Sequence, residues 1–400
     1  MSAASAHTAP APDAGDPHAE LRAEVRALCA GFPDEYWREL DRARAYPEAF
    51  VQAFTEAGLL AALVPEEYGG RGMTLAQASV VLEEINRSGG HAAACHAQMY
   101  TMGALLRHGS EEQKRRYLPG IAAGRIRLQA FSVTEPEAGS DTTRISTRAV
   151  REGDEYVITG HKNWTSRIEQ SELLILLART GGRPEAEQDR AQGLSLFLID
   201  LAQLRTSQPA SLRVEPVRTM FNYATNKVWY EGMRVPASSL IGEEGRGFRY
   251  VIDGWNAERI LLAAEAIGDG YWFLQRASEY VRSVERFGHT LGSLQGVQFP
   301  LAAAYAHVRA ADLMRFEAAR RFDSGEPAGI EANTAKYLAS QASWEAANAA
   351  LDAHGGNGFV DEYDVERKFR ETRMYSVAPV SNNLVLAFLG TKALGLPRSY

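Results

Sequence analysis

Glu258 stands where a carboxylate is expensive. The segment Gly247 to Gly268 reads as a helix whose apolar stripe passes through Phe248, Val251, Trp255 and Leu262 at steps of three, four and seven, and Glu258 falls on that stripe. A carboxylate turned toward a core must be paired or kept neutral. An ion pair with Arg259 or with a residue on a facing helix would meet that need. So would general-base catalysis, because a desolvated glutamate gains the basicity to take a proton from an activated carbon. The stripe alone leaves both readings open. A second candidate is the stretch Phe131 to Asp141, where a strand ends in hydroxyls and a tight turn; it could offer backbone N–H groups to a polar cofactor or merely close a hairpin. His91 and His96 are five apart, a spacing that does not stack two imidazoles on one helix face, and they read as packing histidines rather than zinc ligands.

Composition narrows the classes that could use these residues. With 43 Lys and Arg against 50 Asp and Glu, the net charge of the 400 residues is −7, which gives no overall attraction to nucleic acid or to an anionic membrane. Hydrophobic residues at 45% and charged ones at 23% fit a folded globular chain, and no apolar run approaches the length of a membrane span. Two cysteines, Cys29 and Cys95, cannot build a disulfide framework or a thiolate metal cluster, as expected of a cytoplasmic protein. There is no HExxH, no GxSxG, no GxGxxG after a strand and no P-loop lysine, since Gly242-Glu-Glu-Gly-Arg-Gly247 has neither that lysine nor the strand context.

The elements that must position the candidates follow the hydrophobic period. Residues 1–20, rich in Ala and Pro, read as a flexible tail, and 21–126 as an all-helical domain. Residues 127–236 hold about seven short alternating runs, from Leu128–Thr134 to Lys227–Tyr230, which predict a small β-barrel or sandwich, with Gly181 to Gln192 as an exposed loop. From 237 to 400 the helical period returns, broken at Gly288–Gly292, Gly325–Gly329 and Gly355–Gly358. The order helices, strands, helices excludes a doubly wound nucleotide-binding sheet.

Six segments, taken in order, resemble the flavin-dependent acyl-CoA dehydrogenase family over about Leu21 to Leu396. They are Thr134-Glu-Pro-Glu-Ala-Gly-Ser-Asp141; Gly160-His-Lys-Asn-Trp-Thr-Ser166; Glu258-Arg259; Phe287-Gly288 with Gln295 and Gln298; Thr334-Ala-Lys336; and His354-Gly-Gly-Asn-Gly-Phe359 with Glu362 to Arg367. The resemblance implies a mainly α fold: an N-terminal helical domain, a small β-barrel and a C-terminal four-helix bundle. It implies FAD between the β-domain and the bundle, shared across a dimer interface in a dimer of dimers. Phe131, Val133 and Thr134 would then contact the flavin ring, Trp164 would stack near it and Ser166 would lie close to N5. Ser140 would meet the pantetheine arm of the thioester, with Arg259 also on the substrate side. Phe287, Gln295 and Gly356 would meet the ADP part of the neighbouring subunit's FAD, and Ser381 and Asn383 would contact the cofactor from the last helices.

The chemistry so implied is α,β-dehydrogenation of an acyl-CoA or carrier-bound thioester to the trans-2-enoyl product, with electrons passed to an electron-transfer flavoprotein. An oxidase or monooxygenase on the same scaffold is the alternative, and it needs no α-proton base. Three departures from the family's usual pattern bear on this. Pro379 occupies the position of the base in many members, which leaves Glu258, the position used by a minority. Val284 replaces an arginine that meets the cofactor pyrophosphate, with Arg282 and Arg286 nearby, and Asp352 replaces a glutamine.

Overall fold

A computed structural model of the chain describes residues 15–182 and 190–397. Six helices come first: α1 (Ala19–Cys29), α2 (Asp34–Ala43), α3 (Glu48–Glu56), α4 (Leu75–Arg87), α5 (Ala93–His108) and α6 (Glu111–Ala122). Helices α4 and α6 open on reciprocal capping boxes, Thr74 with Gln77 and Ser110 with Gln113, which satisfy N–H groups that a helix start leaves free. The first helix begins two residues before the expected Leu21. Residues 1–14 of the expected tail, and 183–189 of the expected loop, lie outside the described residues.

Eight strands follow: β1 (Ala130–Ser132), β2 (Arg148–Glu152), β3 (Glu155–Ser166), β4 (Leu173–Arg179), β5 (Leu194–Asp200), β6 (Leu212–Pro216), β7 (Thr225–Pro236) and β8 (Leu240–Ile241), with a short helix α7 (Leu201–Ser207) after β5. They form one sheet in the order β6-β7-β3-β2-β4-β5-β8, with β1 parallel to β4. The central β-domain is therefore present. Its end strands β6 and β8 are not paired with each other among the described residues, so no barrel closure is seen. The alternation along β4 shows how the sheet joins the rest. Leu174, Leu176 and Ala178 face the sheet's own core with Phe197 and Tyr230, whereas Leu173, Ile175 and Leu177 pack toward Met102 and Leu105 of α5 and Leu118 and Ile121 of α6.

The C-terminal region consists of α8 (Gly247–Ser283), the hairpin β9 (Glu285–Arg286) and β10 (His289–Thr290), then α9 (Gln295–Asp323), α10 (Gly329–His354), α11 (Val365–Thr372) and α12 (Asn382–Lys392). Helices α8, α9 and α10 pack on one another, and α12 packs on α10. At 37 residues, α8 connects the three regions. Its first residue, Gly247, lies so close to β5 that a Cβ there would meet Leu196 N at 2.5 Å, which accounts for the glycine. Its middle packs on α4 and α5, and Ile260, Leu261, Ile267 and Phe273 join Val81, Ile85 and Met99 in a core shared by the N-terminal helices and the bundle. No helix among the described residues is long and apolar enough to cross a membrane.

Candidate active site

The turn after β1 is fixed by an ion pair buried under it. Glu135 accepts from Ser146 N at 2.6 Å, Ser146 Oγ at 2.8 Å and Thr147 N at 2.9 Å, and lies 2.9 Å from Lys162 Nζ on β3. Burial alone would raise this carboxyl. Lys162 and the Ser146 and Thr147 hydrogen bonds outweigh burial and hold it down at about 2. Lys162 Nζ also donates to Val133 O at 2.8 Å, and Asn163 N to Thr134 O at 2.8 Å, so Val133 and Thr134 are held directly against β3. Ser132 is buried and bonded to Thr165 Oγ1 at 2.8 Å and Tyr230 Oη at 2.9 Å.

Trp164 follows from the same pairing. Between Lys162 and Thr165 the register of β3 on β7 shifts, and Trp164 takes φ +63° there with its indole 57% exposed. A bulky residue in the left-handed region is an outlier that the surrounding ladder must hold in place. Ser166, two residues on, shares a 2.9 Å hydrogen bond with Thr225. Phe131, Val133, Thr134, Trp164 and Ser166 are thus gathered at one end of β1 and β3, and Ser140 lies exposed on the turn beyond them.

Glu258 approaches this group from the helical side. It is 5% exposed and makes no hydrogen bond or ion pair among the described residues. Burial raises its carboxyl to about 7, against the nearby charges of His96 and Arg259. Arg259 is not a direct partner. Its guanidinium lies over Trp255 at 5.8 Å, its Nε has no hydrogen-bond partner among the described residues, and burial lowers it to about 10. The expected apolar stripe splits, with Phe248, Val251 and Trp255 on the β-domain side and Leu262 in the bundle core; Glu258 lies at the junction.

Tyr100 of α5, which sequence reading passed over, completes the link. Its ring is 5.8 Å from Phe131 and 5.2 Å from His96, and its hydroxyl is pushed well above its ordinary value by burial first and by Glu258 second. His91 accepts from Ala93 N and stacks on Phe221, while His96 pairs with Glu265 at 2.6 Å. Neither Tyr100 nor Glu265 had a signal beyond helical spacing.

The remaining expected contacts fall into two further groups. Ser381 caps α12, accepting from Leu384 N, and Asn383 is exposed beside it. Beside them Lys336 Nζ of α10 donates to Val380 O and Asn382 Oδ1 at 2.7 Å, and its basicity is lowered by burial and then by Arg259. Phe287, Gln295 and Gly356 lie at the far end of α8, where Asn357 Nδ2 donates to Tyr280 Oη at 2.9 Å. That end is about 38 Å of helix from Glu258. Phe287 is 98% exposed at φ +53°, and Gln295 and Gly356 are exposed too. Val284 is half-buried and Asp352 exposed.

Models of three acyl-CoA dehydrogenase domains match the chain in order: the N-terminal domain over residues 15–125, the middle domain over 130–229 and the C-terminal domain over 245–384. The chain is 35% identical to acyl-CoA dehydrogenase FadE12 of Mycobacterium tuberculosis, over 95% of this chain and 96% of that one. It belongs to the acyl-CoA dehydrogenase family. Among solved structures, a glutaryl-coenzyme A dehydrogenase in complex with glutaryl-CoA matches with a TM-score of 0.87 at 27% identity, covering 96% of this chain and 97% of that one. A chain from a structure titled for the electron transferring flavoprotein of Acidaminococcus fermentans matches with a TM-score of 0.87 at 25% identity, covering 95% and 98%. The protein is thus an acyl-CoA dehydrogenase, an oxidoreductase acting on a CH–CH group, and membership implies FAD. The residues fit such a cofactor. An indole turned outward in a held left-handed bulge, and the rings of Phe131 and Tyr100 5.8 Å apart, offer the flat apolar surface that a flavin ring needs.

Proposed function

We propose that this enzyme oxidises the Cα–Cβ bond of an acyl-CoA thioester to the trans-2-enoyl thioester, with Glu258 as the base that removes the α-proton. The observation that carries the reading is Glu258 itself, a buried carboxylate with no hydrogen-bond or ion-pair partner among the described residues and a carboxyl that burial raises to about 7. An unpaired buried carboxylate costs stability, and a role as base explains its retention. The usual alternative position holds Pro379, which has no acid–base group.

FAD bound at Phe131, Val133, Thr134, Trp164 and Ser166 supplies the acceptor for the β-hydrogen as hydride. The chain's own residues do the rest. Glu135 and Lys162 fix the turn that places Val133 and Thr134, the bulge in β3 presents Trp164, and exposed Ser140 marks the side from which the pantetheine arm enters. Phe131 and Tyr100 exclude water from the space in front of Glu258, which keeps the carboxylate desolvated until substrate arrives. Buried Arg259, next in sequence, supplies positive charge on the substrate side. An electron-transfer flavoprotein as acceptor, and a dimer of dimers in which Phe287, Gln295 and Gly356 serve a neighbour's FAD, complete the reading.

The test is Glu258→Gln in the FAD-loaded protein, mixed anaerobically with short, medium, long and branched acyl-CoA thioesters while the oxidised flavin band is followed. The variant is expected to keep its fold and FAD while bleaching slows by about two to four orders of magnitude. Near-normal bleaching in the variant would remove Glu258 from the role.

A further inference from the structure

Inward of Glu258 the seam between α5 and α8 becomes polar. Helices α5 and α8 run antiparallel along one seam. Arg107 lies beside Gly254, at 3.1 Å from where a Cβ would stand, Tyr100 lies beside Glu258, and His96 meets Glu265. Along α8 the exposure changes at Glu258. Ile252 and Asp253 are exposed and Gly254, Trp255 and Asn256 half-buried, whereas every residue from Ala257 to Gly270 is buried. A thioester entering from the open side with its α-carbon at Glu258 therefore points its acyl tail inward, toward Glu265, seven residues or about 10.5 Å deeper.

What stands there is poorly suited to an alkyl chain. Glu265 is fully buried and His96 is 4% exposed. Burial alone would raise the Glu265 carboxyl, but His96 outweighs it and holds it below its ordinary value, so it is ionised. Among the described residues its carboxylate is ion-paired only with His96, Nδ1 to Oε1 at 2.6 Å, and neither of its oxygens has a partner in hydrogen-bond geometry. His96 Nε2 is likewise buried without a hydrogen-bond partner among the described residues. The next carboxylate along the helix, Asp269, is paired with Lys368 at 2.5 Å and accepts from Asn86 Nδ2 at 2.9 Å. Asp269 Oδ2 is also without a hydrogen-bond partner among the described residues, but Asp269 has Lys368 as counter-ion, and the open atoms nearest Glu258 are those of His96 and Glu265, with the Tyr100 ring 5.2 Å from the imidazole. Buried polar atoms left open are costly, and a ligand that satisfies them gains what an apolar one cannot.

We infer that His96 and Glu265 form a polar floor to the acyl pocket, and that the preferred acyl group carries a neutral hydrogen-bonding oxygen, a hydroxyl or oxo group, a few carbons beyond the oxidised bond. This rests on the reading of Glu258 as base. A terminal carboxylate is disfavoured because it would be a third carboxylate beside Glu258 and Glu265. No bond to the distal oxygen is made or broken; it accepts from, or donates to, the His96–Glu265 pair.

The test uses the FAD-loaded protein under anaerobic conditions and compares hexanoyl-CoA, 5-oxohexanoyl-CoA, 5-hydroxyhexanoyl-CoA and glutaryl-CoA by the rate of flavin bleaching and its dependence on thioester concentration. The oxo or hydroxy thioester is expected to exceed hexanoyl-CoA in rate over half-saturating concentration by about tenfold or more, with glutaryl-CoA below both. His96→Leu is expected to abolish that ratio, and His96→Gln, which keeps a donor, to preserve part of it. Equal bleaching by hexanoyl-CoA and the oxygenated thioesters in the wild type overturns the polar floor, as does an unchanged ratio in His96→Leu; if the leucine variant fails to fold, the glutamine variant decides. Bleaching without preference leaves the dehydrogenase reading standing, whereas bound FAD that no thioester bleaches overturns both.

Discussion

Glu258 links catalysis to stability through one titration. Its carboxyl is raised to about 7 in the folded chain, against the ordinary 4.5 it regains on unfolding. The folded state therefore holds a proton that the unfolded state has released between those values, and stability falls as pH rises from about 4.5 to about 7 and is flat beyond. Glu258→Gln does not titrate. It is expected to melt higher than wild type at pH 8, by the equivalent of about 1–3 kcal/mol, with the difference gone by pH 4.5. Activity runs the opposite way, because the base works only when ionised: kcat/KM is expected to rise through about pH 7 and then level off. Thermal scans of both proteins from pH 4.5 to 8 check the first expectation, and a variant no more stable than wild type at pH 8 would show that Glu258 has a partner when folded. The sequence carried this residue as a conflict between its type and its stripe. It does not carry the resolution, since an ion pair with Arg259 is equally legible in the sequence, whereas in the structure that guanidinium lies over Trp255.

At the scale of elements, the bond between the turn after β1 and strand β3 decides whether a flavin platform exists. Lys162 is wholly buried, and Glu135 is its counter-ion. Glu135→Ala would strand that ammonium on Val133 O alone and free two backbone N–H groups, a loss of about 3–5 kcal/mol for a broken buried pair. The expected result is a lower melting temperature and loss of bound FAD even though neither residue is placed against the cofactor. A cost below about 1 kcal/mol by chemical denaturation would mean that Lys162 sheds its proton when left alone. Acid should act on the same pair: with Glu135 held at about 2, its contribution is complete above the ordinary carboxylate range and is lost as pH falls toward about 2. Much of this layer was readable. The seven alternating runs each contain a strand, because alternation between two packed faces is a period-two signal. Two elements escaped: α7 is too short to show a period, and β8 is two residues paired only through its neighbour β5. Ion pairs between distant segments, such as Glu135 with Lys162 or His96 with Glu265, leave no local pattern at all, because the fold and not the spacing brings them together.

For the whole molecule, the decisive geometry is the length of α8. Glu258 and the β1–β3 platform lie near its start, and Phe287, Gln295 and Gly356 near its end, about 38 Å of helix away, which is farther than one FAD reaches. If both groups hold the same cofactor, they must belong to different copies of the chain. The exposed aromatic surface at that far end fits a covered role, with Phe287 98%, Phe359 71% and Phe299 60% exposed in the single chain. The sequence suggested the sharing only by resemblance, since no spacing along one chain reports which copy a residue serves. Two crippled chains test it. One carries Glu258→Gln with its far end intact; the other keeps Glu258 but carries Phe287→Ala with Gln295→Ala. Each alone is expected to be nearly inactive. Co-expressed, they form mixed dimers in which one of the two sites joins an intact Glu258 to an intact far end, and about a quarter of wild-type turnover should return at random pairing. FAD content should stay at the average of the two separate variants, because mixing redistributes the intact far ends without adding any, so the regained turnover reports the pairing alone. Activity that stays at the level of the separate variants, in mixtures shown by mass to contain mixed dimers, would place the whole cofactor within one chain and leave the exposed far end without a part in binding it.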